Sequence, residues 1–169
     1  MNIYLIGFMG CGKNTLGTEL ASALNLEISD TDALVQKVSG MSIPEIFDRQ
    51  GEAAFRQLES DVLRSLPDRR LVITGGGLPC SQANMDHMKA NGYAVWLDVP
   101  VPVLLERLKN GKDKEQRPLI RRFNDKELEN YITETIEKRK MFYGQAHFTF
   151  RPCEQSIDLL IEKLKTIKL

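Results

Sequence analysis

The sequence predicts an α/β fold in which a five-stranded parallel sheet lies between two layers of helices. Short apolar runs rich in β-formers alternate with longer stretches of helical periodicity along the 169 residues. A glycine-rich turn, Gly7–Thr15, lies between the first apolar run and an amphipathic segment. The length suits a single domain, and the sequence contains no repeat or low-complexity tract. We therefore expect one domain over residues 1–169.

Five segments are too short for helices and rich in β-branched or aromatic residues, which favours strands. They are Asn2–Gly7, Glu27–Asp30, Leu71–Thr74, Tyr93–Leu97 and His147–Phe150. Helices are predicted where apolar residues recur at three- and four-residue spacing. These segments are Asn14–Leu24, Thr31–Val38, Ala53–Ser65, Gln82–Asn91, Val101–Lys109, Asp125–Tyr143 and Ser156–Lys168. Residues 110–124 are polar and charged without a period, which is typical of a functional loop.

A further short helix is predicted to begin after Ser42. Ser42 is a favourable N-cap, Pro44 suits the first turn, and Glu45 follows the cap by three residues. This combination is the capping-box pattern. We expect the helix to end before Gly51.

The composition excludes several classes of protein. The 23 basic residues equal the 23 acidic residues, so the chain lacks the basic excess of nucleic-acid and anionic-membrane binders. Its apolar stretches are far shorter than the roughly 20 residues of a membrane helix, and no secretory signal is recognisable. The chain has three cysteines, an odd number without metal-site spacing, so neither a disulfide framework nor a zinc site is indicated. They are Cys11, Cys80 and Cys153. We expect a cytoplasmic monomer that binds neither nucleic acid nor membrane.

The segment Gly7–Thr15 has the Gly-x4-Gly-Lys pattern between a strand and a helix, the context of a phosphate-binding loop. Its glycines let backbone N–H groups surround a phosphate, and the following helix contributes its positive end. Lys13 is placed to reach the β- and γ-phosphates of a nucleotide. The candidate ATP-binding residues of this loop are Gly10, Cys11, Gly12, Lys13, Asn14 and Thr15. A glycine turn without a ligand is the weaker alternative.

Asn14 stands where this pattern normally carries a hydroxyl residue that binds Mg²⁺. Three alternatives are open. Asn14 binds the ion directly or through water, Thr15 compensates from the next position, or the ion is held weakly and turnover suffers. We favour the first. Two interpretations are also open for Cys11. The N–H groups of the loop would favour a thiolate and therefore a redox switch, but a small tolerated side chain is the simpler interpretation.

Asp30 and Asp32 close the second predicted strand. Side chains two residues apart point the same way in an extended chain, so both carboxylates are expected to face one cleft. One would act on Mg²⁺ and the other on a substrate hydroxyl. Asp30 or Thr31 also fits the N-cap of the following helix, and capping is compatible with either role.

Two arginines lie beside the buried faces of predicted helices and need anionic partners. For Arg56 the alternative to substrate binding is a surface ion pair with Glu52 or Glu59, four and three residues away. The partner of Arg139 is either a protein carboxylate such as Glu134 or Glu137, or the acid group of a ligand. Both arginines are therefore candidate substrate-binding residues.

The third predicted strand ends in Gly75, Gly76 and Gly77, where the lack of side chains lets a ligand approach the backbone. A flexible turn is the alternative. Arg117 lies in the charged loop and is expected to move over the nucleotide as part of a lid, stabilising charge on the transferred phosphate. A solvated run of charge is its alternative.

In order and approximate spacing, these motifs resemble those of the shikimate kinases. The matching elements are Gly7–Thr15, Asp30–Asp32, Gly51–Ala53 with Phe55, Arg56 and Glu59, Thr74–Gly77, Arg117–Leu119, and Arg139 with Tyr143. The match covers about residues 1–146. It implies a P-loop NTPase fold of the nucleoside-monophosphate-kinase type, with a substrate-binding region at about 31–62 and a lid at about 110–124.

The resemblance also implies a reaction, in which the γ-phosphoryl group of ATP passes to the 3-hydroxyl of shikimate on the route to chorismate and aromatic amino acids. ATP and shikimate are the implied partners, and Mg²⁺ is the implied cofactor. By position, Lys13, Asp32 and Arg117 would be catalytic, Asp30 and Asn14 would hold the metal, and Arg117 would also contact ATP. The implied shikimate-binding residues are Asp32, Arg56, Gly75, Gly76, Gly77 and Arg139. The loop around 151–155 is implied to contact adenine.

Three other classes of protein share part of this pattern. Another P-loop small-molecule kinase, of the gluconate or nucleotide type, would keep the loop but need a different acceptor pocket. A regulatory GTPase matches the short element Asp48–Gly51, but the chain has no Asn-Lys-x-Asp guanine motif. An ATP-binding homologue weakened at Asn14 would bind ATP with little or no turnover.

Overall fold

The computed structural model describes residues 1–110, 120 and 122–167 and has the predicted α/β architecture. Five parallel strands form one sheet in the order β2-β3-β1-β4-β5. The strands are β1 (Asn2–Ile6), β2 (Glu27–Asp30), β3 (Arg70–Ile73), β4 (Gly92–Leu97) and β5 (Phe148–Phe150). The helices are α1 (Lys13–Leu24), α2 (Thr31–Ser39), α3 (Ile43–Ser65), α4 (Gln82–Asn91), α5 (Val101–Asn110), α6 (Asp125–Tyr143) and α7 (Ile157–Lys165).

The central strand β1 explains the two layers of helices. All five of its residues are buried, as expected for a parallel strand covered on both faces. Ile3 and Leu5 pack into a core with α1, α5, α6 and α7. Tyr4 and Ile6 face the other way, into a second core that includes residues of α3 and α4. The alternation of side chains along one strand therefore supplies both cores.

Most element boundaries match the predicted ones or differ from them by a single residue. The larger difference is in α7, which ends at Lys165 instead of the predicted Lys168. At its start, Ser156 is the N-cap and not a helical residue, because its side chain accepts a hydrogen bond from the N–H of Asp158. None of the described helices is long and apolar enough to cross a bilayer.

The capping box at Ser42 is present. The Ser42 Oγ accepts from the Glu45 N–H at 3.4 Å, and the Ser42 N–H donates to Glu45 Oε2 at 2.9 Å. The prediction that this helix ends before a separate helix from Ala53 is only partly right. One helical run spans Ile43–Ser65, and it is interrupted at Gly51, where φ is 82° and ψ is 173°.

The segment formed by α2 and α3 has a small core of its own, separate from the two cores of the sheet. Its buried residues are Val35, Ile46, Phe55 and Val62. The rings of Phe47 and Phe55 lie 4.7 Å apart across the kink in α3. The helical piece before Gly51 is therefore packed mainly against α2 and the following half of α3.

The strand order determines where a ligand site can form. In a parallel sheet, the carboxyl ends of β1, β2 and β3 lie at one edge, and these strands are neighbours in the order β2-β3-β1. The loops that follow them are the phosphate-binding loop, the Asp30–Asp32 segment and the triple glycine. The three predicted motifs thus meet at one edge of the sheet.

Candidate active site

A cavity of about 790 Å³ opens at the carboxyl edge of the sheet. It is lined by residues 9–16 of the loop after β1, by Asp30 and Asp32 after β2, and by residues 74–76 after β3. A volume of this size is typical of a small-molecule or cofactor site. The structure therefore brings the predicted nucleotide loop, acid pair and glycine segment into one cavity.

The loop after β1 has the backbone conformation of a phosphate cradle. Gly7, Gly10 and Gly12 have φ values of 144°, 77° and 98°, which residues other than glycine rarely adopt. Gly12 is the N-cap of α1, and the first turn of that helix contains no acidic residue. The positive end of α1 therefore faces the loop without a neutralising carboxylate of its own.

Lys13 is folded into the loop. Its side chain is buried, and Nζ donates hydrogen bonds to the carbonyl oxygens of Gly7 at 2.9 Å and Phe8 at 3.1 Å. The Cys11 Sγ lies 3.7 Å from the same Nζ and is itself buried. The burial of Cys11 favours the interpretation as a small packed side chain over an accessible redox switch.

Asn14 and Thr15 lie in the first turn of α1, and both side chains are exposed at the cavity. The side chain of Thr18 one turn later donates to the carbonyl oxygen of Asn14 at 3.0 Å. Each of the two candidate positions therefore faces the space where a nucleotide phosphate would lie.

Asp30 caps α2, as the capping alternative predicted. Its Oδ1 accepts hydrogen bonds from the N–H groups of Asp32 at 2.9 Å and Ala33 at 3.1 Å. The helix begins at Thr31, so the predicted extended geometry at Asp32 is wrong. Both carboxylates nevertheless line the cavity, one as the N-cap and the other from the first turn of α2.

The three glycines after β3 make room for the charged side chains predicted to bind substrate. A Cβ at Gly75 would lie 2.5 Å from Asp32 Oδ1, and one at Gly76 would lie 3.1 Å from Arg139 Nη1. A Cβ at Gly77 would lie 2.5 Å from Arg56 Nη1. Glycine is needed here for this close approach, and the acid and both arginines converge on one short segment.

Arg56 forms both of the ion pairs that its spacing predicted. Its Nη1 donates to Glu59 Oε2 at 2.6 Å, and its Nη2 donates to Glu52 Oε1 at 3.0 Å. These are not two surface pairs, because the Glu59 side chain is only 2% exposed. Burial raises the pKa of the Glu59 carboxyl, and the neighbouring Arg56 opposes this shift. The buried acid fixes the arginine beside Gly77.

Arg139 is half-buried on α6, with its guanidinium carbon 5.9 Å from the centre of the Phe8 ring. No carboxylate of the described residues lies within 4.0 Å of it, and Glu137 pairs with Lys140 instead.

Some predicted residues lie off the cavity wall or outside the described chain. Arg56, Gly77 and Arg139 are not among the lining residues, although the two arginines contact the glycine segment. Arg117 falls outside the described residues, as does most of the predicted lid at 110–124.

Sequence reasoning missed a cation in the cavity wall. Arg107 lies on α5, and its Nη1 donates to the carbonyl oxygen of Gly10 at 3.2 Å. It belongs to no motif, and its exposed helical position is typical of a solvated charge. Pro152 and Gln155, from the loop expected to contact adenine, also line the cavity. The Gln155 Oε1 accepts from the N–H of Arg151 at 2.8 Å, which fixes that loop.

A family model described as shikimate kinase matches residues 9–167. The chain belongs to the shikimate kinase family. It is 43% identical over 148 residues to a shikimate kinase of Aquifex aeolicus, covering 86% of this chain and 83% of that protein.

Solved shikimate kinase structures are similar to this chain throughout. One from Bacteroides thetaiotaomicron has a TM-score of 0.88 at 35% identity, covering 98% of this chain and 97% of the other. One from Acinetobacter baumannii, in complex with shikimate, has a TM-score of 0.83 at 32% identity, covering 98% and 90%. The predicted resemblance and fold are thereby confirmed.

Membership of the shikimate kinase family confirms the predicted activity class, an ATP-dependent kinase that acts on shikimate. The alternatives of a gluconate-type or nucleotide-type kinase and of a regulatory GTPase are not supported.

Proposed function

We propose that this chain transfers the γ-phosphoryl group of ATP to the 3-hydroxyl of shikimate, with Mg²⁺, as a cytoplasmic monomer. One observation carries the proposal. Asp32, Arg56 and Arg139 converge on the triple glycine beside the phosphate-binding loop, so an acid acceptor and a nucleotide would meet at one edge of the sheet.

ATP would bind along the loop after β1. The N–H groups of residues 10–15 and the positive end of α1 suit its phosphates, and Lys13 would exchange its carbonyl partners for phosphate oxygens. Arg107 and the loop containing Pro152 and Gln155 border the part of the cavity left for the nucleoside. We propose that Arg117, from the lid at 110–124, closes over the bound nucleotide.

The residues at the cavity suit Mg²⁺, because they offer hard oxygen donors. Asn14 and Asp30 line the same cavity, and the hydrogen bonds that Asp30 makes as a cap use its Oδ1. The described residues contain no cluster of three or more metal-binding side chains. This agrees with an ion held by one or two protein groups together with substrate phosphates. When bound, Mg²⁺ would neutralise phosphate charge.

Shikimate would lie against the triple glycine, in the substrate-binding region at about 31–62. Arg139 and Arg56 would bind its carboxylate, because guanidinium groups pair with carboxylates through two parallel hydrogen bonds. Gly75, Gly76 and Gly77 allow the ring to approach the backbone, and a Gly76 N–H contact is proposed. Asp32 would accept hydrogen bonds from the hydroxyls at the opposite side of the ring.

The proposed reaction needs little covalent chemistry from the protein. The 3-hydroxyl oxygen attacks the γ-phosphorus while the bond to the β,γ-bridging oxygen of ADP breaks. The hydroxyl proton passes to the Asp32 carboxylate. Lys13 and Arg117 stabilise the charge on the transferred group, and the two arginines hold the acceptor in line.

The acceptor is tested by measuring ADP release from purified protein with ATP, Mg²⁺ and either shikimate, gluconate or AMP. We expect release with shikimate only, and phosphorus NMR should identify shikimate 3-phosphate. Release with gluconate or AMP while shikimate is inert would contradict the proposal. ATP and shikimate binding without release would instead support a homologue weakened at Asn14.

A further inference from the structure

Tyr143 and Thr31 hold the triple-glycine segment from two sides. We propose that both are positioning residues for shikimate, which fix the Gly75–Gly76 peptide group so that the Gly76 N–H faces the substrate. This inference rests on the proposed binding of shikimate at the glycines.

Tyr143, in the last turn of α6, makes a specific contact with this segment. Its side chain is 1% exposed, and its phenol oxygen donates a 2.6 Å hydrogen bond to the carbonyl oxygen of Gly76. The ring packs at 5.9 Å from the ring of Trp96. Burial raises the pKa of the Tyr143 phenol, so it remains a protonated donor across the working pH range. The Gly76 carbonyl is thus tied to the end of a helix.

Thr31 holds the other end of the segment, at the Thr74–Gly75 peptide group. It is fully buried, and its Oγ1 accepts a hydrogen bond from the N–H of Gly75 at 3.0 Å. Between these two contacts, the carbonyl oxygen of Gly75 accepts from the N–H of Leu78 at 3.2 Å. Each of the three successive peptide groups therefore has one atom fixed.

These contacts determine where the Gly76 N–H points. In a trans peptide the C=O and N–H are antiparallel, and the Gly75 carbonyl is turned toward Leu78. The Gly76 N–H is directed the opposite way, and among the described residues it donates to no turn or loop carbonyl. Gly75 and Gly76 line the cavity. The N–H is accordingly available to a ligand there.

Tyr143 also links the N–H to the proposed carboxylate-binding arginine. Arg139 precedes Tyr143 by four residues on α6, so the two side chains lie on the same helical face. A Cβ at Gly76 would lie 3.1 Å from Arg139 Nη1. The guanidinium therefore lies beside the same glycine whose carbonyl Tyr143 holds.

The test is Tyr143→Phe, which keeps the ring and removes the donor. We expect the KM for shikimate to rise about fivefold, which corresponds to about 1 kcal/mol for one hydrogen bond. The KM for ATP and kcat should stay within about twofold, because the phenol donates its hydrogen bond to Gly76 and not to a group of the phosphate loop. Thr31→Val should give the same selective rise, and Thr31→Ser should restore the wild-type value.

Tyr4→Phe is a matched control. Tyr4 belongs to the same buried cluster as Tyr143 and is fully buried, but its hydroxyl accepts from the side-chain amide of Asn2 at 3.3 Å. The Tyr4→Phe variant should have lower thermal stability than the wild type but the same KM for shikimate. A merely structural role for Tyr143 would make the two phenylalanine variants alike.

The outcomes separate the inference from the proposed function. An unchanged shikimate KM in folded Tyr143→Phe and Thr31→Val, with an active wild type, would overturn the inference alone. An equal rise in both KM values would also overturn it. If the phenylalanine variant does not fold, Thr31→Val against Thr31→Ser decides the question. A wild type that does not phosphorylate shikimate would overturn both the inference and the proposed function.

Discussion

Asn14 occupies the first turn of α1, where related loops carry a hydroxyl side chain that binds Mg²⁺. Its amide oxygen can bind the ion, but the longer side chain fits the octahedral geometry of Mg²⁺ less well. We predict that Asn14→Ser raises kcat several-fold and strengthens the dependence on Mg²⁺. The measurement is ADP release across a Mg²⁺ titration.

Two controls separate the alternatives for this metal position. Thr15→Ala should have little effect if Asn14 binds the ion, and a large effect if Thr15 compensates. Asn14→Ala should make the activity less dependent on Mg²⁺ than that of the wild type. An Asn14→Ser variant that is unchanged or slower would show that the asparagine is adapted to its site.

Glu59 is a buried carboxyl group beside Arg56, and burial raises its pKa. A raised pKa means that the folded protein binds the proton more tightly than the unfolded chain does. The contribution of Glu59 to stability is therefore greatest below its ordinary pKa and decreases as pH rises through its folded pKa. We predict that the free energy of unfolding of the wild type, relative to Glu59→Gln, falls as pH rises from about 4 toward neutrality.

Urea unfolding at a series of pH values measures this difference. Glu52→Gln is the matched control, because Glu52 pairs with the same arginine but its side chain is 67% exposed. A difference that grows in favour of the wild type as pH rises would mean that the ion pair with Arg56 outweighs burial.

The individual site residues were predictable to different degrees. Lys13 and Asp30 belong to local patterns, a glycine loop and an N-cap, whose geometry follows from neighbouring residues. Arg56 was found with both of its glutamate partners by helical spacing alone. Arg107 was missed, because its approach to Gly10 depends on how α5 packs against the phosphate-binding loop, and no local pattern encodes that packing.

At the level of elements, α3 shows what a sequence pattern cannot resolve. The capping box and Gly51 correctly predicted a start and an interruption. The second helical piece nevertheless joins the first without a loop, because the shared core of Val35, Ile46, Phe55 and Val62 holds them together. Tertiary packing decided the connection.

The kink in α3 gives a prediction about stability. Gly51 has φ 82° and ψ 173°, a region almost restricted to glycine, and a Cβ there would meet no atom within 4 Å. Gly51→Ala should therefore cost about 1–3 kcal/mol through backbone strain alone. Gly40, with φ 67° and ψ 14°, is equally unobstructed and serves as the control.

Denaturant unfolding of both alanine variants makes the comparison. We expect Gly51→Ala to lose more stability than Gly40→Ala, because the left-handed helical region of Gly40 costs only about 1–2 kcal/mol for other residues. Equal losses, or a smaller loss at Gly51, would show that the kink relaxes into a continuous helix.

At the level of the whole molecule, the fold was predictable because each strand and helix carries its own periodicity. The β2-β3-β1-β4-β5 order was not evident from those patterns, since it depends on which crossovers pack best. That order brings the segments after β1, β2 and β3 together. The proposed site depends on the tertiary packing that brings these three segments close to one another and to Arg139 of α6.

The most direct test of this convergence compares shikimate with its methyl ester, which lacks the carboxylate charge, in the wild type and in Arg139→Gln. We predict that kcat/KM of the wild type falls on the order of a hundredfold with the ester, since hydrogen bonds to charged groups are the stronger ones. Arg139→Gln should lose most of this discrimination, whereas Lys140→Gln on the same helix should keep it. Full discrimination by Arg139→Gln would contradict the account, because the carboxylate would then be bound elsewhere.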